Sequence, residues 1–172
     1  MWPRIDGRRV LALGTPGKIR TWLTDLTLSG AKTATAGLLP LDYETEGEEV
    51  EHVGEHLILV NDAGEKAATI EITSVELVPF AEVPWEFAEA EGEGYTSIED
   101  WRETHRRYWS SQGYEVTDAS PIVCLHYRLL PPRPLQPTLT PATCPANTHA
   151  PIRPRRTPTT TAPREPPPGA FP

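Results

Sequence analysis

Gly30-Ala31-Lys32-Thr33-Ala34-Thr35 joins two different patterns in the chain. Upstream, Ile19, Trp22, Leu23 and Leu26 recur at three-to-four spacing, which predicts an amphipathic helix over residues 16–28 with Thr15 as cap and Pro16 in its first turn. Ser29-Gly30 stops it, because glycine accepts the left-handed conformation that closes a helix. Downstream, Thr33 to Ala36 is β-compatible but short. Residues three apart in a strand point to opposite faces. Lys32 and Thr35 therefore share a cleft only if Lys32 sits in the irregular exit from the helix, which Gly30 permits. Thr33 and Thr35 would then present their hydroxyls on one face.

Working outward, residues 57–60 and 67–75 read as two strands joined by the hairpin loop Asn61-Asp62-Ala63-Gly64-Glu65. Ile70 and Ile72 alternate with Thr69, Glu71 and Thr73, giving one apolar and one polar face. Pro79 ends that element or begins a new one. A short helix is expected over 84–90, then the turn Glu91-Gly92-Glu93-Gly94. A stronger helix follows, with Thr96 or Ser97 as cap, since Thr96–Glu99 and Ser97–Asp100 both have capping-box spacing. Ile98, Trp101, His105 and Tyr108 share a face of it. An apolar strand over 121–130 closes the domain and holds Cys124 as a buried thiol. Short strands with helices at the periphery give an α+β class; the pattern alone leaves an open sheet and a small barrel as alternatives.

Composition marks where the folded part ends. Of 20 prolines, 14 lie in residues 131–172, a Pro/Thr/Arg-rich stretch with too few apolar side chains to offset the entropy of ordering it. One domain over 1–130 and a disordered tail over 131–172 are expected. The domain carries 11 basic and 23 acidic residues, a net of −12, and the tail a net of +4. An acidic domain is a poor non-specific binder of nucleic acid, whose affinity comes mainly from neutralised phosphates. Cys124 and Cys144 have no CxxC spacing, so neither a disulfide framework nor a zinc site is expected. His52 and His56 are four apart, but Gly54 and the nearby strand signals argue against a helical metal pair. No metal and no cofactor is expected. The N-terminus lacks the apolar run of a signal peptide and no stretch has the length of a membrane span, which makes a cytoplasmic, non-membrane protein the expectation. The oligomeric state is left open.

The segment Gly30-Ala31-Lys32-Thr33-Ala34-Thr35 resembles the GxKxxT motif near the start of ASCH domains. Val78-Pro79-Phe80-Ala81-Glu82-Val83 and the run from Phe87 to Gly94 resemble the second signature of that family. The helix from Trp101 to Trp109 and the last strand follow in the same order, so the resemblance covers roughly residues 10–130. It implies a PUA-like small β-barrel with peripheral helices and a cleft. It also implies a nucleoside or RNA ligand, because the family includes RNA-binding proteins, a ribonuclease, and an amidohydrolase that deacetylates N-acetylated cytidine. Matched residue by residue, the catalytic lysine, threonine and glutamate of that amidohydrolase fall on Lys32, Thr35 and Glu91. Where the short amidohydrolases carry an arginine two residues past the threonine, this chain has Gly37.

On residue type alone, Lys32 is a solvated lysine, Thr35 a strand residue, and 91–93 an acidic turn. If Glu91 touches Lys32, the carboxylate keeps the ammonium charged. That suits Lys32 to stabilising an oxyanion, Glu91 to moving the proton, and Thr35 to attacking or positioning the substrate. Thr33, Tyr95 and Ser97 are candidate substrate-binding residues, Tyr95 as a stacking ring after Gly94, although capping is the commoner role for Ser97. The aromatic cluster Trp85, Phe87, Trp101, Tyr108 and Trp109 is mainly core. Three functions compete: amide hydrolysis of an N-acylated cytidine-type nucleoside, non-catalytic RNA binding, and ribonuclease action. The RNA readings need a basic stripe, for which Arg102, Arg106 and Arg107 form the obvious cluster.

Overall fold

The computed structural model describes residues 1–132, so the tail expected over 131–172 lies, but for its first two residues, outside the described residues. Six strands and three α-helices follow in the order β1 (Arg4–Ile5), β2 (Arg8–Leu11), α1 (Lys18–Ser29), β3 (Ala34–Leu38), β4 (His56–Val60), β5 (Lys66–Pro79), α2 (Trp85–Ala90), α3 (Ile98–Ser111) and β6 (Pro121–Leu129). The expected α+β class with helices outside a sheet is what forms. Among the described residues, no helix is long and apolar enough to cross a membrane.

One sheet holds all six strands in the order β1-β2-β4-β5-β6-β3. Only β2 and β4 pair in parallel. Among the described residues nothing pairs β3 back to β1, so the sheet is not closed and β3 is an edge. The 14-residue β5 pairs with β4 near its start and with β6 from Ile70 to Pro79. A register shift between Ile72 and Ser74 bends it on the way.

Strand β6 shows how the two faces are filled. Val123, Leu125 and Tyr127 pack with Leu57, Leu59, Ile70, Ile72 and Leu23 of α1. The alternate residues Ile122 and Cys124 pack with Phe80, Phe87, Trp101 and Trp109 under α2 and α3. The period of two separates the cores. Burial of each of the large apolar side chains stabilises the fold by about 1.5–3 kcal/mol. Cys124 is buried as expected, and burial pushes its thiol up to about 12.

Two local expectations are corrected. Helix α1 begins at Lys18 after Gly17, whose φ of 98° interrupts any earlier turn, so Thr15 is not the cap; its carbonyl accepts from Arg20 N–H instead. The apolar stripe of α1 is also split: Leu23 is core, whereas Ile19 and Trp22 are 48% and 43% exposed. Gly30 closes the helix as expected, with φ 80° and its N–H on the carbonyls of Leu26 and Thr27. After β3 comes a single π-helical turn, Leu39–Glu44, which carries Asp42 and Tyr43. Such turns recur at functional sites.

Candidate active site

A cavity of about 470 Å³ opens between β2, α1, β3, the π-turn and the segment from Glu91 into α3. Lys32, Thr35, Glu91 and Tyr95 all line it. Lys32 lies before β3 begins, with its N–H on the carbonyl of Leu26, so it is held in the irregular helix exit that sharing a cleft with Thr35 requires. Ala34 and Leu38 point into the aromatic core, which turns Thr35 and Gly37 to the cavity side of the same strand.

Glu91 comes to the same place from the end of α2. Its N–H closes that helix on Phe87, and the chain then turns at Gly92, φ 66°. A Cβ at position 92 would stand 2.1 Å from the carbonyl oxygen of Ala31, so only glycine lets the two backbones meet. Two residues past Ala31, Thr33 N–H donates to the carbonyl of Ala90 at 2.8 Å. These contacts fix the lysine and glutamate segments to each other.

Both ionised groups are almost fully enclosed, each 1% exposed. Lys32 Nζ lies 3.5 Å from Glu91 Oε1 and 2.6 Å from Glu93 Oε1. Burial alone would lower the lysine, but Glu91 and Glu93 outweigh it and hold the ammonium above its usual range. Burial likewise opposes the Glu91 carboxylate. Lys32, His105, the Trp101 indole and the Ala36 N–H together overcome it and hold Glu91 below the usual carboxylate range. Its Oε1 accepts from Ala36 N at 2.9 Å and its Oε2 from Trp101 Nε1 at 2.5 Å, with His105 Nε2 at 3.5 Å. Glu93 Oε2 accepts from the Tyr95 hydroxyl at 2.8 Å. Among the described residues, the Thr35 hydroxyl has no hydrogen-bond partner.

Two residues further along β3, the arrangement repeats with different chemistry. Leu38 N–H donates to Asp42 Oδ2 at 2.7 Å. Beside it the Tyr43 hydroxyl donates to Glu51 Oε2 at 2.9 Å. Burial raises both carboxyls, Asp42 and Glu51, despite these bonds, and raises the Tyr43 phenol. Gly37 packs under Tyr43: a Cβ there would meet Tyr43 Cε2 at 3.0 Å and the hydroxyl at 3.3 Å. Trp2 covers the turn, its indole donating to the Asp42 carbonyl at 3.0 Å.

Of the remaining candidates, Thr33 and Ser97 are not brought to the cavity. Thr33 precedes β3 and its hydroxyl donates to the Ala90 carbonyl at 3.2 Å. It does not share a strand face with Thr35. Ser97 is the cap of α3, its Oγ accepting from Asp100 N at 3.2 Å. Tyr95 does line the cavity, but its ring lies against His105, 5.9 Å between centroids, and is half-buried. Sequence reasoning overlooked Glu93, Asp42 and Glu51 because nothing in their spacing separates them from other surface acids. Trp22, placed by its spacing on the apolar stripe of α1, is exposed and lines the cavity. His105, on the helix face shared with Trp101, stacks on that ring at 4.0 Å and also lines the cavity.

The ASCH domain family model matches residues 10–131. A crystal structure of a protein from Enterococcus faecalis is similar over 74% of this chain and 78% of that one, with 26% identity and a TM-score of 0.65. The crystal structure of an ASCH domain from Lactobacillus crispatus is similar over 70% of this chain and 77% of that one, with 30% identity and a TM-score of 0.62. No curated protein matches the chain. With the family model spanning most of its length, the chain belongs to the ASCH domain family, a PUA-like fold associated with RNA binding.

Proposed function

We propose that the cavity hydrolyses the amide of an N-acylated cytidine-type nucleoside. The observation that carries this reading is the juxtaposition of an enclosed, charged lysine with an unpartnered threonine hydroxyl on one cavity wall. Because Glu91 and Glu93 keep Lys32 protonated, it serves as the donor that stabilises the oxyanion of a tetrahedral intermediate. Glu91 is saturated by the Ala36 N–H, the Trp101 indole and Lys32, so it holds the ammonium in place. The proton is better moved by Glu93, which touches Lys32 and is 15% exposed. Thr35 attacks the acyl carbon, its hydroxyl proton passing to Glu93 and then to the departing amine. Water releases the acyl group from Thr35.

The RNA readings have less support. Arg102 is bonded to the carbonyls of Ala81 and Val83, and Arg106 is paired with Asp118 over the ring of Phe80, so the expected basic cluster is largely engaged. Incubating the full chain with N-acetylated cytidine and following products by chromatography tests the proposal. Conversion is expected in the wild type and Thr35→Ser, and loss of at least about 100-fold in Lys32→Ala and Thr35→Ala. Equal conversion by Lys32→Ala would refute the assignment.

A further inference from the structure

The cavity has a second polar wall that the hydrolytic scheme does not use. Edge strand β3 pairs with β6 on one side, and on the other offers the N–H groups of Ala36 and Leu38. Glu91 takes the first and Asp42 the second. Two residues of strand separate them, about 7 Å, comparable to the distance from the exocyclic nitrogen of a cytosine to the hydroxyls of its ribose. Next to Asp42, Glu51 is 4% exposed, lines the cavity and accepts one bond, from Tyr43, through Oε2. Its Oε1 is buried without any partner. Buried carboxylate oxygens are normally satisfied, so an orphan on a cavity wall is the mark of a donor supplied from outside the chain.

Charge points the same way. The lining contains four carboxylates, Asp42, Glu51, Glu91 and Glu93, against one lysine that two of them already neutralise and His105, which faces Glu91 at 3.5 Å. Among the described residues, no arginine lines the cavity. A phosphate entering it would meet like charge with no free cation to receive it.

We infer that the Asp42–Tyr43–Glu51 wall is a subsite for vicinal hydroxyls, so that the cavity accepts a nucleoside and rejects its phosphorylated form. This deepens the proposed function and rests on it. The ribose hydroxyls donate to Glu51 Oε1 and Asp42, while the acylated base lies toward Lys32 and Thr35. Gly37, bare beneath Tyr43, lets the ring stand close to the strand and shape this wall.

The test uses the full chain with N-acetylated cytidine, its 2′,3′-dideoxy counterpart and its 5′-phosphate. Loss of the hydroxyls is expected to raise KM about tenfold in the wild type, the cost of a hydrogen bond to a charged group, and the phosphate to raise it at least as much. In Glu51→Gln and in Asp42→Asn, the preference for ribose over dideoxyribose and for nucleoside over phosphate should shrink. Circular dichroism checks that each variant folds. Equal KM for the three compounds, or unchanged preferences in both variants, overturns the subsite while leaving the hydrolase intact. If none of the compounds is converted, the proposed function fails. Calorimetry with cytidine and cytidine 5′-phosphate then decides the subsite: tighter binding of cytidine that Glu51→Gln abolishes retains it, and equal or absent binding overturns it.

Discussion

The two ends of the cavity hang from the same edge strand yet are finished differently. At Ala36, Glu91 has a partner for each oxygen and Lys32 has two carboxylates. At Leu38, Asp42 and Glu51 form no ion pair among the described residues, Arg9 acting on Glu51 only at longer range, and one oxygen has no partner. The first end is complete within the chain, so its geometry is set before any ligand arrives. The second is incomplete, and its burial costs stability that a bound donor would offset. A site that must hold charged groups in register for chemistry has to be saturated, whereas a site that recognises has to leave something unsatisfied.

The largest effect that separates the two ends should be on stability. Glu91→Ala leaves an enclosed ammonium with Glu93 as its one carboxylate, and should lower unfolding free energy by about 3–5 kcal/mol in urea denaturation. Glu51→Gln removes a buried charge with no ion-pair partner and should cost no stability at pH 7. A loss at Glu51→Gln as large as at Glu91→Ala would erase the distinction.

A smaller effect is expected in the pH dependence of melting. The Glu91 carboxyl is held low, so its contribution is present above about 4.3 and lost as pH falls through its folded value. Lys32 is held high, so its contribution is present below about 10.4 and lost as pH rises through its folded value. Asp42 and Glu51 are raised, so theirs is fully present below about 4 and is lost as pH rises through their folded values. Acidifying from neutral pH toward the ordinary carboxylate range should therefore favour the folded state more, or disfavour it less, in the wild type than in an Asp42→Asn, Glu51→Gln double variant. The same pH dependence of melting in both proteins would mean that these carboxyls titrate normally.

The smallest effect should be at the mouth. Trp22 is 43% exposed, so Trp22→Ala should leave stability within about 1 kcal/mol. If the base stacks on it, KM for a nucleoside should rise by about five- to tenfold. An unchanged KM would confine recognition to the depth of the cavity.

Much of the fold was legible in local signals. The stop at Gly30, the β4–β5 hairpin, the end of β5 at Pro79 and the cap at Ser97 each depend on one or two residues whose backbone preferences are strong. Lys32 and Thr35 were singled out by the resemblance to the ASCH motif; strand parity gave only the condition, an irregular helix exit at Lys32, under which the two could share a cleft. What stayed hidden depends on tertiary approach. Nothing near Glu93 or Glu51 reveals that one will touch Lys32 and the other will be buried without a second partner. The stripe of α1 looked like core because periodicity records which residues share a face, not what that face meets. Ile19 and Trp22 meet a cavity, whereas Leu23 and Leu26 meet packed side chains.

The meeting of Gly92 with the Ala31 carbonyl makes the lysine–glutamate pair a product of long-range assembly. The exposed β4–β5 loop lies between their positions in the chain, so a cut there would put Lys32 and Glu91 on separate peptides. Neither peptide could form the pair by itself. Reassociation of the two halves would have to rebuild that backbone approach, which makes the site a built-in reporter of fragment complementation.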